Sequence, residues 1–177
     1  MADTDRVTAR SLRFERLLDA PVETVWQYIV DPELRGRWFM GGALDARPGG
    51  RIEMIFDHDR LSDDDVPMPE RFAGNKGKRW YETISEIDAP HRIVFSWDEG
   101  KAGTVTIELT PIGADKTQLV LTHEGLRGLD DARNYGGGWH SHLAALQARI
   151  AGRGVPDFWA LHAQSGARIA ELLEHSA

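Results

Sequence analysis

A late amphipathic segment constrains the fold of this chain more than any other feature of the sequence. The segment reads GGGWHSHLAALQARI and spans Gly136 to Ile150. Its apolar side chains recur at spacings of four, three and four residues, at Trp139, Leu143, Leu146 and Ile150. This period predicts a helix with one apolar stripe, which must pack on another element to be stable. We expect the glycines at its start to end a loop that covers residues 125–135.

The segments before this helix alternate between apolar and polar residues, as strands do. Between Thr104 and Thr110, for example, Val105, Ile107 and Leu109 fall on one face, and threonine and glutamate fall on the other. Strands are predicted at residues 10–18, 51–56, 79–87, 92–97, 104–110 and 117–124. Consecutive strands joined by short turns form an antiparallel meander, and the late helix would cover its apolar face.

Two short helices are predicted directly after the first strand. Pro21 suits the first turn of a helix over Val22–Val30, and Asp31 with Pro32 begins a second helical turn through Arg37. The order of strand, two short helices, further strands and a long helix is uncommon. It therefore restricts the fold to the α+β class.

The residues beyond Gly152 predict an additional helix. Pro156 can open it, and its apolar stripe extends to Leu173 with an interruption at Ser165–Gly166. We therefore divide the chain into a domain at residues 1–151 and a C-terminal helical extension at residues 152–177. The extension packs either on the domain or on a second copy of the chain, and in the second case the protein is a homodimer.

The composition narrows the classes of function. The absence of cysteine excludes disulfides, thiolate metal ligands and a cysteine nucleophile. The formal net charge of −7, with no face rich in Lys and Arg, argues against a nucleic-acid partner. No apolar run resembles a signal peptide, and no window has the length of a membrane span. We therefore expect a cytoplasmic protein.

The sequence contains no motif that predicts a metal or a cofactor. His140 and His142 are two residues apart, so their side chains diverge on a helix, and the HExxH spacing is absent. The acidic loop at residues 57–69 lacks the glycine and the glutamate of a calcium-binding loop. A GxSxG elbow and a dinucleotide-binding glycine pattern are also absent. We expect neither a metal nor a cofactor.

Four segments of the chain, in this order, resemble one family of proteins. They are DAPVETVWQYIVDPELRGRWF from Asp19, EIDAPHRIVFSW from Glu86, TIELTPIGADKTQLVLTHEGL from Thr106 and GGWHSHLAAL from Gly137. Together they resemble the START-like, or SRPBCC, superfamily. Within it they are most similar to the branch related to the C-terminal domain of the activator of the heat-shock-protein-90 ATPase. The resemblance spans residues 10–150 and leaves the C-terminal extension outside.

This resemblance implies the helix-grip (START/birch-pollen-allergen-like) fold. In that fold a curved antiparallel sheet wraps around a long C-terminal helix and encloses a hydrophobic cavity. Members bind lipids, sterols, polyketides or other apolar molecules, a minority are cyclases, hydrolases or dehydratases, and many bacterial members have no assigned ligand. Mapped onto this chain, the cavity would be lined by Trp38, Phe39, Met54, Phe56, Phe95, Trp97, Ile107, Leu121, His123, Trp139, Leu143 and Leu146.

The resulting functional prediction is binding of an apolar or amphipathic small molecule in this cavity, without an established catalytic step. His123 is a weak catalytic candidate, because it is in phase with Leu119 and Leu121 and should point inward with them. One alternative is therefore an enzyme of the cyclase or hydrolase type that uses His123 with a carboxylate such as Glu82. Another is a co-chaperone-like interaction module that works through its outer surface.

Overall fold

The strands form one antiparallel sheet. A computed structural model describes this sheet and the helices over residues 4–175. The seven strands are β1 (Thr4–Val7), β2 (Ser11–Leu18), β3 (Arg51–Ile55), β4 (Arg79–Asp88), β5 (Arg92–Ser96), β6 (Thr104–Ile112) and β7 (Lys116–Glu124). Their spatial order is β1-β2-β7-β6-β5-β4-β3. The sheet is curved, and its concave face carries the core.

The apolar alternation of the sequence becomes one continuous face of this sheet. Leu121 on β7 lies opposite Phe14 on β2 and Ile107 on β6, and Ile107 in turn lies opposite Ile93 on β5. All four side chains are buried. Because side chains at matched positions point to the same face, the strands together bury one apolar surface.

The helices are α1 (Val22–Val30), α2 (Pro32–Arg35), α3 (Glu70–Ala73), α4 (Leu129–Ile150) and α5 (Phe158–Glu174), and a single 3-10 turn covers His58–Arg60. Helices α1 and α2 follow β2 as predicted, and the Asp31 side chain caps α2 by accepting a hydrogen bond from the Leu34 N–H. The predicted α+β helix-grip fold is confirmed, with α4 clasped by the sheet and α5 packed against α4.

Helix α4 differs from the prediction at its start, since it begins at Leu129 rather than at Gly136. The predicted loop over residues 125–135 is therefore mostly helix, and the glycines lie inside α4. A Cβ atom on Gly136 would lie 3.0 Å from Cγ2 of Ile169, and one on Gly137 would lie 3.4 Å from Cα of Gly166. These glycines allow α4 and α5 to approach closely, so their role is packing and not termination.

A buried arginine fixes the chain between α2 and β3. The Arg35 side chain donates hydrogen bonds to the carbonyl oxygens of Met40 at 2.8 Å and Ile29 at 3.3 Å, and also to that of Gly42. Burial lowers the pKa of Arg35 to about 10, so the guanidinium is still charged at neutral pH. By holding these carbonyls, Arg35 positions the Trp38-Phe39-Met40 cluster over the concave face of the sheet.

Helix α5 belongs to the same hydrophobic core as the sheet. Phe158 and Ile169 are fully buried, and Leu173 is nearly so. The Asp157 side chain caps α5 by accepting a hydrogen bond from the Ala160 N–H at 2.8 Å. The boundary at residue 151 stays a prediction, as does a homodimer formed through this helix. Within residues 4–175, no helix has both the length and the apolar character that crossing a membrane requires.

Candidate functional site

A cavity of about 430 Å³ opens where α4, α5 and the edge of the sheet meet. Helix α4 contributes Asn134, Tyr135, Gly138, Trp139 and His142, and α5 contributes Trp159 and His162. The remaining lining residues come from the sheet and its connections: Phe39, Met40, Phe56, His58, Phe72, Asn75, Lys78, Trp80, Trp97, Asp98 and Glu99. Phe, Tyr and Trp rings make up the largest part of the lining, which is typical of a site for an apolar ligand.

One wall of the cavity is a cluster of rings around Trp139. The Trp139 ring lies 5.0 Å from that of Phe39 and 5.1 Å from that of Trp97, between ring centroids. The Tyr135 ring completes this wall at 5.8 Å from Trp97. These separations are typical of favourable aromatic pairs, so the wall is held rigidly by its own contacts.

A second wall consists of rings from three separate segments. The Phe56 and His58 rings are stacked with centroids 3.9 Å apart, and the Phe72 and Trp159 rings are stacked at 5.0 Å. His58 connects the two pairs, because its ring lies 5.9 Å from that of Trp159. Helix α5 therefore supplies part of this wall through Trp159, which is 7% exposed.

Polar side chains surround the mouth of the cavity. The Lys78 ammonium donates a hydrogen bond to Oδ1 of Asn75 at 2.8 Å, on one side of the mouth. Asp98 and Glu99 lie on the lining too, and both have positive φ angles, 52° and 55°, in the turn between β5 and β6. Consecutive residues other than glycine in this conformation are strained, and such strain is often found at functional sites.

Glu82 holds this strained turn in place from below. Its buried carboxylate accepts hydrogen bonds from the Ser96 hydroxyl at 2.6 Å and from the Glu99 backbone N–H at 3.2 Å. Burial raises the pKa of Glu82, although these hydrogen bonds oppose the shift. Glu82 is therefore engaged with the turn, and within the described residues no hydrogen bond joins it to His123.

Two buried histidines meet at the closed end of the cavity. The Nε2 atoms of His58 and His142 are 3.2 Å apart, and Nδ1 of His142 lies 2.7 Å from the carbonyl oxygen of Trp38. Burial lowers the pKa of both histidines well below the ordinary value, so both are neutral at pH 7. His162 on α5 also lines the cavity, and burial lowers its pKa as well.

Four of the residues predicted to line the cavity do so in the structure: Phe39, Phe56, Trp97 and Trp139. Three others, Trp38, Phe95 and Ile107, surround a separate void of only about 10 Å³ in the core. Met54, Leu121, Leu143 and Leu146 are fully buried and lie outside the described cavity lining. The structure therefore separates the predicted set into a cavity wall and core packing beneath it.

His123 lies behind the cavity wall rather than on it. The Trp139 indole N–H donates to Nδ1 of His123 at 3.1 Å, and Nε2–H of His123 donates to the Ala102 carbonyl at 2.8 Å. Burial lowers the pKa of His123, which keeps this tautomer neutral. Because both ring nitrogens are engaged, the geometry favours a role in positioning Trp139 over proton transfer.

Sequence reasoning misses His58, Phe72, Trp159 and His162 as lining residues. The first two lie in the segment between β3 and β4 that the sequence predicts to be a loop, and the other two lie in the helical extension. The available signal is the spacing of Trp159 and His162, which places two rings on one side of α5. Across residues 4–175, no group of three or more His, Cys, Asp or Glu side chains could hold a metal ion.

The fold and the aromatic cavity define the class of this protein, a helix-grip protein of the SRPBCC superfamily. The model of the family described as "Activator of Hsp90 ATPase homolog 1-like protein" matches residues 19–151. The chain therefore belongs to the Activator of Hsp90 ATPase homolog 1-like family. A search of curated proteins finds no match.

Solved structures from several bacteria are similar to this chain over nearly its whole length. A protein from Bordetella parapertussis, solved by solution NMR, is 34% identical with a TM-score of 0.78, and the match covers 99% of this chain and 97% of that one. The crystal structure of CalU16 from Micromonospora echinospora is 24% identical with a TM-score of 0.69, covering 97% and 98% of the two chains. A conserved protein of unknown function from Enterococcus faecalis is 16% identical with a TM-score of 0.65, covering 97% and 92%. The last two similarities concern the fold alone.

Proposed function

We propose that this protein binds an apolar or amphipathic small molecule in the cavity between α4, α5 and the sheet. The observation that supports this most directly is the aromatic lining of a cavity of about 430 Å³ in an otherwise well-packed core. A space of this size lies within the range of cavities that hold small ligands. The family to which the chain belongs is consistent with a role in binding small molecules or proteins.

The physical basis of binding would be burial of apolar surface. An apolar ligand gains about 25 cal/mol for each Å² removed from water, before the cost of ordering the ligand is subtracted. The walls around Trp139 and Trp159 are held by ring contacts, so little side-chain entropy would be lost on binding. The polar mouth would face the hydrated end of an amphipathic ligand.

The experiment that tests this proposal uses a glycine in the cavity wall. A Cβ atom on Gly138 would have no heavy atom of the described chain within 4 Å, and Gly138 lines the cavity. Gly138→Leu should therefore place its side chain in the cavity from a Cβ atom that displaces no neighbour. The matched control is Gly166→Leu on α5. A Cβ atom on Gly166 also has no heavy atom of the described chain within 4 Å, and Gly166 lies outside the cavity lining.

The measurement is the fluorescence of 1-anilinonaphthalene-8-sulfonate titrated into each purified protein. The wild type and Gly166→Leu should show saturable enhancement, and Gly138→Leu should weaken binding about tenfold or more, because its side chain competes for the same space. Circular dichroism should show all three folded. Equal binding by Gly138→Leu and the wild type, or no saturable binding by the wild type, would contradict the proposal.

A further inference from the structure

The hydrogen bonds of the histidine pair at the closed end of the cavity fix where its protons lie. Nδ1 of His142 faces the Trp38 carbonyl at 2.7 Å, and a carbonyl oxygen only accepts, so Nδ1 of His142 carries the proton. In a neutral ring Nε2 of His142 is then an acceptor. The 3.2 Å contact between the two Nε2 atoms requires a proton between them, which must belong to Nε2 of His58.

This assignment leaves a bare acceptor on His58. With its proton on Nε2, neutral His58 has a lone pair on Nδ1, and this buried atom has no hydrogen-bond partner among the described residues. His58 is 5% exposed, so bulk water does not satisfy the atom from outside. Buried polar atoms are almost always hydrogen-bonded in native proteins, and an exception calls for a missing partner.

A complementary donor lies on the same wall of the cavity. The Trp159 indole N–H is also buried and has no partner within the described part of the chain. Trp159 is 7% exposed, its ring lies 5.9 Å from that of His58, and both residues line the cavity. An indole N–H only donates, whereas Nδ1 of His58 only accepts in this tautomer.

We infer that the ligand of this cavity carries a hydroxyl group, which donates to Nδ1 of His58 and accepts from the indole N–H of Trp159. A hydroxyl is the simplest group that is both donor and acceptor, so it offers a suitable partner to each of the two atoms. A carboxylate offers no donor to His58, and a cation offers no acceptor to Trp159. This inference rests on the proposed function, since it names the chemical class of the molecule bound at that site: a hydroxylated apolar compound.

The test uses three naphthalene probes that differ in one substituent. 2-Naphthol is a donor and an acceptor, 2-methoxynaphthalene is an acceptor only, and 2-methylnaphthalene is neither. Binding to the wild type, measured by quenching of tryptophan fluorescence, should be about tenfold or more tighter for 2-naphthol than for 2-methylnaphthalene, with 2-methoxynaphthalene between them. A cavity without a hydroxyl site would not rank the probes in this way.

Two variants assign the effect to the two residues. His58→Phe keeps a ring stacked on Phe56 but removes the acceptor, and Trp159→Phe removes the donor. Each should therefore abolish most of the preference for 2-naphthol over 2-methylnaphthalene. If His58→Phe does not fold, Trp159→Phe decides alone. The matched control is Trp80→Phe, which also removes an indole from the cavity lining, but one whose N–H is not among the buried polar atoms of the described residues that have no partner. It should retain the preference.

The outcomes separate this inference from the proposed function. Equal affinity of the wild type for all three probes would overturn the hydroxyl site while leaving cavity binding intact. Retention of the 2-naphthol preference in a folded His58→Phe or Trp159→Phe variant would also overturn it. Failure of every probe to bind the wild type would contradict the proposed function itself.

Discussion

Trp139 and His123 act as a pair at the scale of single residues. The indole hydrogen bond to Nδ1 of His123, at 3.1 Å, fixes the orientation of a ring that separates the cavity from the core. The histidine is in turn fixed by the Ala102 carbonyl. A polar pair in a buried aromatic cluster is stable only when each member is satisfied, so the two residues depend on each other.

Replacing His123 by Phe should therefore reduce stability. The change leaves the Trp139 indole N–H and the Ala102 carbonyl without partners, which costs about 1–3 kcal/mol for each buried group that stays unsatisfied. Urea unfolding followed by circular dichroism measures the loss, with the exposed His91→Phe as control. A His123→Phe variant as stable as the wild type would show that the pair carries no structural role.

At the scale of elements, α4 uses neighbouring glycines in two different ways. Gly136 lies against Ile169 of α5, whereas Gly138, two residues further on, faces the cavity. A glycine inside a helix costs about 1 kcal/mol relative to alanine. At Gly136 that cost is offset by close helix packing. At Gly138 nothing in the described chain fills the space, so its absent side chain contributes to the cavity alone.

Alanine substitutions should separate these two roles. Gly138→Ala should raise the free energy of unfolding by about 0.5–1 kcal/mol, because helix propensity improves and no neighbour is displaced. Gly136→Ala should lower it by about 1 kcal/mol or more, because the new Cβ presses on buried Ile169. Thermal melts of both variants give the comparison. The reverse order of stabilities would show that the α4–α5 contact is looser than described.

The sequence predicts elements well where one periodicity dominates and poorly where distant contacts decide. The strands from β2 to β7 and the helix α1 follow the predicted ranges closely. Strand β1, by contrast, is a short polar segment in which Val7 alone is buried, and its pairing with β2 holds it in place. The predicted start of α4 is wrong because the prediction reads Gly136 from its neighbours in the sequence, as the end of a loop. The contact between Gly136 and Ile169, which explains the glycine, forms only in the folded chain.

The candidate site is predicted less well than the fold, for a related reason. Phe39, Trp97 and Trp139 are recognisable because they lie on elements of the helix-grip core. The pairing of His58 with His142 joins residues 84 positions apart, and no periodicity connects them. Trp159 lies on an extension whose packing the sequence leaves open. Cavity-lining residues supplied by separate segments therefore cannot be recognised from the sequence before the segments are assembled.

At the scale of the whole molecule, the fold buries four histidines against the sheet and the two long helices. Burial lowers the pKa of His58, His142, His123 and His162 in the folded protein. Below the ordinary histidine value of 6.5, the unfolded chain therefore binds protons that the folded chain excludes. The stability provided by these residues is fully present above that pH and is lost as the pH falls.

The free energy of unfolding should thus decrease by roughly 2 kcal/mol between pH 6 and pH 5 from His58 and His142 together. The slope for each residue approaches about 1.4 kcal/mol per pH unit only once the unfolded chain is fully protonated. Buried Glu82 opposes part of this loss, because its raised pKa favours proton uptake by the folded state. Urea unfolding at pH 7.5, 6 and 5 measures the slope. His58→Phe should reduce it by about 1 kcal/mol per pH unit, and a wild-type curve independent of pH would contradict the neutral pair.

The contribution of α5 to the cavity has an evolutionary consequence. The family pattern covers residues 19–151, but Trp159 and His162 lie beyond it. Changes in the C-terminal helix can therefore alter the cavity wall, while the packing of the sheet on α4 stays the same. Under the proposed function, relatives that differ in this C-terminal segment would differ in the molecules that they bind.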